Sequence, residues 1–553
     1  MKKTLLLTSL VASMVAMAGT TGSVKSYAES EAKFETKKYV SDNQKEVKTN
    51  TTKSYKVGKI GVETEVKVKG SGFSFGGTFE AKDLELGRVT PANYLNHSSV
   101  WAKYELPELK GFKTYVKATV SPKLYNVTEN LKVPTLDRAK EEVKKLYKDN
   151  DDDTAVKNKL ADVAAKEGMS TDKVNAIKNA NDKDTAVNLL AQDRIDALKE
   201  KNKEHKTVDS GSAELEGQVS YKYGEFTFGL NSKTNFPLSN EEYTYDGTKT
   251  NKSSVKDYGK LVKSTHKLFV ESEEGKDVFV KGLKDVKANV EIKHNYAKTV
   301  TKAGDRVDYV SGEVSAKYDA VKDLELEGKV AFKKNISAEK IGDYEVLGTK
   351  LFKESPARYI HSYELKGTYT GVKHLTLSAK PFVAHVNLYK TVTANKLQRS
   401  DVALYGIELG AEYKMLNDKL TLTGKSLLAG KHGKTINEAA ISDADKLVKI
   451  NAGVFVFDTN AKYDYSVTDK FTVSPEANAN LKLDVFKLGN SLVTLPELTL
   501  TPKVSAEYKP TDTLTLKGSV EAPVKFGVNA ISKKFEYKQT QLKTSLNLKY
   551  EWK

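Results

Sequence analysis

The 553-residue chain contains no cysteine. That excludes disulfides and thiolate metal sites. Beyond the N-terminus no apolar run approaches the ~18 residues that a membrane-spanning helix needs. Mean hydropathy is −0.51, too polar for a bundle of such helices. A transmembrane barrel evades that test, because only alternate residues of its strands need be apolar. Patterns that would carry chemistry are missing as well. The eight histidines, at 97, 205, 266, 294, 361, 374, 385 and 432, are scattered, and no HExxH spacing occurs. Those on strand faces, such as His266 and His294, read as structural. There is no GxSxG elbow, and Gly70-Ser71-Gly72 stands at a strand junction with no helix to follow it. No catalytic activity, cofactor or metal is expected. Positive charge exceeds negative, 89 Lys and Arg against 73 Asp and Glu, giving +16. Lysine and glutamate nevertheless alternate without a basic tract or a recognition motif, so a solvated charged face is expected and nucleic acid is not an expected partner.

The first residues form a targeting segment. Lys2 and Lys3 precede an apolar stretch, residues 5–18, that no charge interrupts. This reads as a secretory signal peptide within residues 1–28, cleaved after Ala18 (Ala16-Met17-Ala18) or after Ala28 (Ser26-Tyr27-Ala28). Without cysteine near either site, a lipoprotein anchor is excluded. Residues 29–553 are then the mature protein.

From residue 30 onward, period-two alternation dominates. Ile60, Val62, Thr64, Val66 and Val68 alternate with Gly61, Glu63, Glu65 and Lys67. Such a segment has one apolar and one polar face as a strand. The second half repeats a hairpin unit: an alternating strand with tyrosine near its end, a short polar turn, then Leu-x-Leu, or Phe471-Thr472-Val473 in one case. Tyr318, Tyr369, Tyr413, Tyr463 with Tyr465, and Tyr508 head five such units. Their recurrence at roughly 50 residues, with short turns, predicts antiparallel pairing and an aromatic girdle at one rim. Most strands read as about 9–15 residues, longer than the ~5–6 of soluble sheets and long enough to cross a bilayer at a tilt. Pro381 and Pro475 should mark bulges or rim positions. The count is about 18–20 strands. Short turns, at residues 70–72, 107–111, 224–225, 319–323, 414–419 and 509–513, alternate with longer connections, at 126–210, 237–261, 336–357 and 430–448. That parity requires a first strand before Ile60, placed near residues 32–40.

One region differs. Residues 135–207 carry helical spacing: Val156, Leu160 and Val163 on one face, and Val187, Leu190, Ala191, Ile195 and Leu198 on another. Asp153-Thr154, Ser170-Thr171 and Asp184-Thr185 are expected N-caps and Gly168 a C-cap. Three or four short helices follow, enough for a small bundle inserted in an extracellular loop. Asp149, Asp151 and Asp153 have the spacing that opens a calcium loop, but Thr154 stands where glycine is needed and Leu160 where the bidentate glutamate belongs. An acidic turn between helices is the better account. The stretch from Gly168 to Leu198 bears a faint similarity to bacterial three-helix albumin-binding modules.

The last twelve residues gather these signals. Leu542, Leu546, Leu548, Tyr550 and Trp552 alternate with Lys543, Asn547, Lys549 and Glu551. A C-terminal amphipathic strand ending on an aromatic resembles the terminal strand of Gram-negative outer-membrane β-barrels, here with Lys553 as a departure. On that resemblance Leu546, Leu548, Tyr550 and Trp552 serve as the signal read by the barrel-assembly machinery. Over residues 29–553 the pattern resembles porins: an all-β, antiparallel, up-and-down transmembrane barrel. The resemblance implies outer-membrane lipid around it, passive diffusion of small hydrophilic solutes through a water-filled pore, and a homotrimer as the assembly. Lys67, Lys329, Lys366 and Lys549 are candidate pore-lining residues, and the basic excess predicts mild anion preference. The alternative reading is a surface barrel whose helical insert binds a host ligand, as an adhesin would. A receptor for active uptake needs a globular plug ahead of the barrel, and here strands begin almost at once.

Overall fold

A computed structural model describes residues 19–40, 47–84, 96–123, 135–147, 151–167, 169–203, 206–207, 211–239, 241–245, 250–254, 262–295, 307–336, 340–341, 344–346, 349–352, 355–392, 396–436, 447–488, 491–528 and 534–552. Twenty antiparallel strands close into one barrel. In chain order they are β1 (Thr20–Val40), β2 (Val47–Val68), β3 (Phe73–Leu84), β4 (Ser99–Glu105), β5 (Phe112–Pro122), β6 (Gly211–Tyr223), β7 (Phe226–Pro237), β8 (Lys263–Ser272), β9 (Leu283–Asn295) and β10 (Val307–Val321). The second half comprises β11 (Leu324–Asn335), β12 (Ser355–Val372), β13 (Leu375–Val392), β14 (Lys396–Met415), β15 (Leu420–Ile436), β16 (Leu447–Tyr463), β17 (Phe471–Leu488), β18 (Ser491–Thr511), β19 (Leu514–Glu521, continued by Val524–Val528) and β20 (Phe535–Trp552). Closure is made by the two ends of the chain: β1 pairs with β20 from Gly22 opposite Trp552 to Glu35 opposite Gln539.

The alternation has the expected consequence. Val314, Val330, Tyr363, Val383, Tyr405, Leu428, Val504 and Leu546 are all exposed, and all point outward. In water such a surface would be a large liability, whereas hydrocarbon accepts it. The tyrosine of each hairpin unit lies outward beside a short turn, as Tyr318, Tyr369, Tyr413 and Tyr508 show. Three units share one geometry. Val321 opposite Leu324, Val372 opposite Leu375 and Thr511 opposite Leu514 each close a two-residue turn. A one-residue bulge separates each closing pair from its tyrosine. Asp323 and His374 take the left-handed backbone that such turns require. Along β12 the outward apolar run from Tyr369 to Tyr363 stops at His361. His385 and His432 stop the runs of β13 and β15 in the same way, so the apolar band is about nine residues long, the crossing length of a tilted strand. His266 and His294, also outward, approach each other at 5.6 Å, and His266 Nδ1 lies 2.8 Å from Ser232 Oγ.

Several expectations need correction. The first strand is not confined to residues 32–40 but begins at Thr20. Many strands exceed the expected length, with β18 at 21 residues. The expected long connection at 430–448 is shorter, since β15 continues to Ile436 and β16 starts at Leu447. Pro381 and Pro475 are neither bulged nor at a rim. They pair in register with Ile407 and Val504 on one side. On the other side the ladder skips two rungs and resumes unshifted: Glu364 opposite Phe382, then Gly367 opposite Ala379. Proline lacks the N–H that the skipped rung would use, and the long strands on either side hold the register across the gap.

The insert forms a unit of its own, built from residues 123–211 and 237–258, and so extends beyond residues 135–207. Its four helices are α1 (Leu136–Lys144), α2 (Asp153–Lys166), α3 (Thr171–Lys178) and α4 (Lys183–Lys203). Short strands Lys206–Thr207, Glu241–Tyr245 and Thr250–Ser254 make a small sheet beside them. Val143, Val156, Leu160, Ile177, Val187, Leu190 and Ile195 form its core. The expected caps are displaced. Asp152, not Asp153, accepts from the N–H groups of Thr154 and Ala155. Asp182, not Asp184, accepts from Thr185 N–H at 2.7 Å, and that bond holds its carboxyl below the usual range. Asp153 instead accepts from Lys183 N–H. Ser170 stands at the N-cap of α3 but makes no side-chain bond there. Gly168 and Asp149 lie outside the described residues.

One cross-strand pair packs the end of the closing seam. The Trp552 ring covers Gly22, where an added Cβ would meet ring carbons at 2.5 Å and Glu65 O at 2.2 Å. Trp552 Nε1 also donates to Thr20 Oγ1 at 3.4 Å, and the Tyr550 ring stacks on Trp552 at 6.3 Å. Trp552→Ala should therefore cost about 1–3 kcal/mol, below the core range because the ring is half-exposed. Gly22→Val should weaken the same seam by steric overlap. Both variants are expected to lower the fraction of heat-modifiable, folded barrel on a denaturing gel; a wild-type fraction in both would remove the seam's assigned role.

Candidate pore wall and its inward-folded segment

The polar half of each strand faces the barrel interior. It forms a lattice in which many lysines meet a carboxylate on the same or a neighbouring strand. Lys25 reaches Glu63 at 3.5 Å, Lys59 reaches Glu29 at 3.1 Å, Lys380 reaches Glu408 at 3.1 Å and Lys525 reaches Glu497 at 2.6 Å. Each such pair is half-exposed and contributes little to stability, but together they cancel most of the wall's charge. The lattice continues into the turns: Lys276 and Lys222 hold the Glu273 carboxyl below its usual range.

Lys67, Lys329, Lys366 and Lys549 all lie on the polar face, but the fold does not gather them. Lys67 and Lys549 stand near the short-turn rim, bound to Glu65 at 3.3 Å and Glu551 at 2.7 Å. Lys329 and Lys366 are neighbours on β11 and β12. Lys329 bridges to Glu313 at 2.7 Å. Lys366 stands opposite Glu327, and Lys329 opposite Glu364. The outward half of β20 carries Leu546, Leu548, Tyr550 and Trp552, with Leu546 59% exposed.

Aromatic side chains also lie on the inner wall. Tyr27 on β1 crosses Gly61 on β2 and donates to Glu80 Oε2 on β3 at 2.6 Å. Only glycine leaves room, since a Cβ at 61 would meet the Tyr27 ring at 2.6 Å. Tyr115 donates to Glu216 Oε1 at 2.8 Å. Tyr309 donates to Glu291 Oε1 at 2.8 Å.

Over part of the wall the inward face is apolar too. Phe382, Ala384, Val386 and Leu388 on β13, Val402 and Leu404 on β14, Leu427 and Ala429 on β15, and Val454 and Val456 on β16 share parity with the polar Lys380, Glu408 and Asp458. They are nonetheless buried, several of them completely. Their cover is the segment between β11 and β12. It includes two short paired strands, Tyr344–Val346 and Thr349–Phe352. Val346, only 4% exposed, packs among Phe382, Leu427, Ala429, Val454 and Val456, and Leu351 packs against the same patch. The chain therefore turns back into the barrel here and is latched to its inner wall. Lys340 and Ile341 pair with Pro356 and Ser355 at the root of this excursion.

Sequence reasoning placed this segment among the long connections and missed the latch. The signal was available: residues 382–384, 427–429 and 453–457 are consecutive apolar runs that break the alternation. A strand greasy on both faces is one buried on both faces.

No family model matches the chain, and no curated protein matches it. Solved structures with a similar arrangement include a bacterial polysaccharide outer-membrane secretin, at 7% identity and TM-score 0.30 over 63% of this chain and 96% of that one. The siderophore receptor PirA from Acinetobacter baumannii is 9% identical, with TM-score 0.39 over 97% and 81%. The outer-membrane protein OmpT of Vibrio cholerae is 10% identical, with TM-score 0.28 over 96% and 99%. The closed antiparallel barrel itself is shown by the strand pairing, in which β1 meets β20.

Proposed function

We propose that the chain is an outer-membrane porin, a water-filled channel for passive diffusion of small hydrophilic solutes, narrowed by the segment between β11 and β12. The observation that carries this reading is the buried apolar patch on the inner wall, with Val346 and Leu351 seated on it. A segment tied to the wall at several apolar contacts narrows a lumen permanently, whereas an unattached loop would not. Twenty strands are more than the 16–18 that leave an aqueous channel. With the short turns on the periplasmic side, the chain ends there and the long connections lie outside. Ion pairing removes positive and negative charges in equal number, so the basic excess of +16 persists and selectivity is mildly anionic. Outer-membrane lipid surrounds the barrel, the assembly machinery reads β20, and a homotrimer is the proposed assembly. We assign no catalytic activity. Val346→Asp combined with Leu351→Asp should release the segment and raise single-channel conductance in planar bilayers, with heat-modifiable mobility retained. Unchanged conductance, or a barrel that does not conduct, would sink the reading.

A second reading has its own support. The insert has a separate hydrophobic core and its own helix caps, as a module for binding a host ligand would. Excision of residues 135–203 discriminates: conductance retained with surface binding lost favours the module, whereas altered conductance favours a role at the pore.

Export requires the N-terminal segment, and the two cleavage sites are not equivalent for this fold. Residues 22–28 of β1 pair on one side with β2 and on the other with β20. Cleavage after Ala28 would remove seven of the 14 rungs to β20 and nine of the 21 to β2, so we assign it to Ala18. Mass spectrometry of the mature protein should give Gly19 as first residue; Glu29 would contradict the assignment.

A further inference from the structure

One part of the inner wall breaks the rule that lysines meet carboxylates. On β8–β11, near the long-connection rim, Lys267, Lys293 and Lys333 surround a single carboxylate, Glu291. The pairing register places them: Lys267 opposite Glu291, Lys293 opposite Tyr309, and Lys333 opposite Ser311. All three share the inward parity of Tyr309. Lys333 Nζ lies 4.1 Å and Lys293 Nζ 5.8 Å from the centre of the Tyr309 ring. Glu291 accepts the Tyr309 hydroxyl at 2.8 Å. Glu313, another inward carboxylate on these strands, is taken by Lys329 at 2.7 Å. None of the three ammonium groups has a carboxylate within 4.0 Å among the described residues. Three positive charges and one negative leave the patch with a local excess of two.

The position of the patch gives that excess a use. The rung Lys267, Glu291, Ser311, Lys333 continues across β12 and β13 to Ile360, Val386 and then Val402 on β14. Those last three belong to the apolar surface on which Leu351 sits. The basic patch is therefore contiguous with the latch of the inward-folded segment, and a solute threading past that segment moves alongside it. We propose that Lys267, Lys293 and Lys333 form a binding station for phosphate- or carboxylate-bearing solutes. This rests on the channel reading above and names the solute class. Tyr309 orders the station: cation–π attraction holds two ammonium groups on its face, and its hydroxyl keeps the one carboxylate engaged. A polyanionic oxygen group can then bridge two lysines with charge-assisted hydrogen bonds.

Inorganic phosphate is the probe. Isothermal titration of the intact, detergent-solubilised protein should show saturable binding. Lys293→Glu combined with Lys333→Glu should weaken it about tenfold or more, the loss expected for a charge-assisted contact. Lys334→Glu, on the outward face of the same strand, should leave it unchanged. Heat-modifiable mobility confirms that each variant is folded, and Lys293→Gln with Lys333→Gln serves as the milder pair if the glutamates prevent folding. Absence of saturable phosphate binding by the wild type, or equal affinity in the folded double variant, overturns the station. Neither result depends on conductance, so a barrel that binds phosphate without conducting would overturn the channel reading alone.

Discussion

Backbone hydrogen bonding in a medium without water is the constraint from which the rest of this structure follows. Every N–H and C=O facing hydrocarbon must find a partner within the protein, so a sheet in that medium can have no open edge. Here the last edge is removed by pairing β1 with β20, from Gly22 opposite Trp552 to Glu35 opposite Gln539. Both strands come from the ends of the chain, so no pair is more distant in sequence. Closure also sets the direction of every side chain. Once the register is chosen, each residue is committed to lipid or lumen, and a slip of one residue would exchange the two.

That commitment explains how the sheet tolerates proline. Pro381 and Pro475 each cost rungs on one neighbour, yet the register on both sides of the gap is the same. Strands of 17 or 18 residues have enough other rungs to hold alignment. Glycine has the complementary use. At Gly22, Gly61 and Gly406 the missing Cβ admits an aromatic ring from the next strand: Trp552 on the outer face, Tyr27 and Phe382 on the inner. Small-against-large pairing across a rung supplies packing that a single-layer sheet otherwise lacks.

The sequence made most of the barrel legible because the rule behind it is local. Alternation reports which face each residue takes, and the Tyr, turn, Leu-x-Leu unit reports where strands reverse. The start of β1 was obscured because four of its five outward residues from 20 to 28, Thr20, Gly22, Ser26 and Ala28, are small or polar and mimic a signal-peptide cleavage region. The prolines misled because a propensity rule for short sheets was applied to long strands. The displaced caps at Asp152 and Asp182 are shifts of one or two residues between adjacent aspartates. The four candidate lysines share the polar parity of their strands, but parity says nothing about height or about which carboxylate is near. Lys67 and Lys549 proved to be rim residues already paired, whereas the lysines that stand apart from carboxylates, Lys267, Lys293 and Lys333, are visible only once register brings β8–β11 together.

The inward-folded segment shows where local rules give out altogether. Its burial depends on residues from four strands, between Phe382 and Val456, that become one surface only after the barrel closes. The same closure puts polar and apolar inner surfaces on one continuous rung, from Lys267 to Val402. A lumen with an apolar anchor beside a charged wall can hold a segment in place without spending its ionic groups on doing so. Among the described residues the contacts that hold the segment are hydrophobic, through Val346 and Leu351, and Lys267, Lys293 and Lys333 of β8–β11 beside it have no carboxylate within 4.0 Å. In a barrel many of whose other lysines are paired with carboxylates, that division of labour leaves this stretch of wall with a local positive excess.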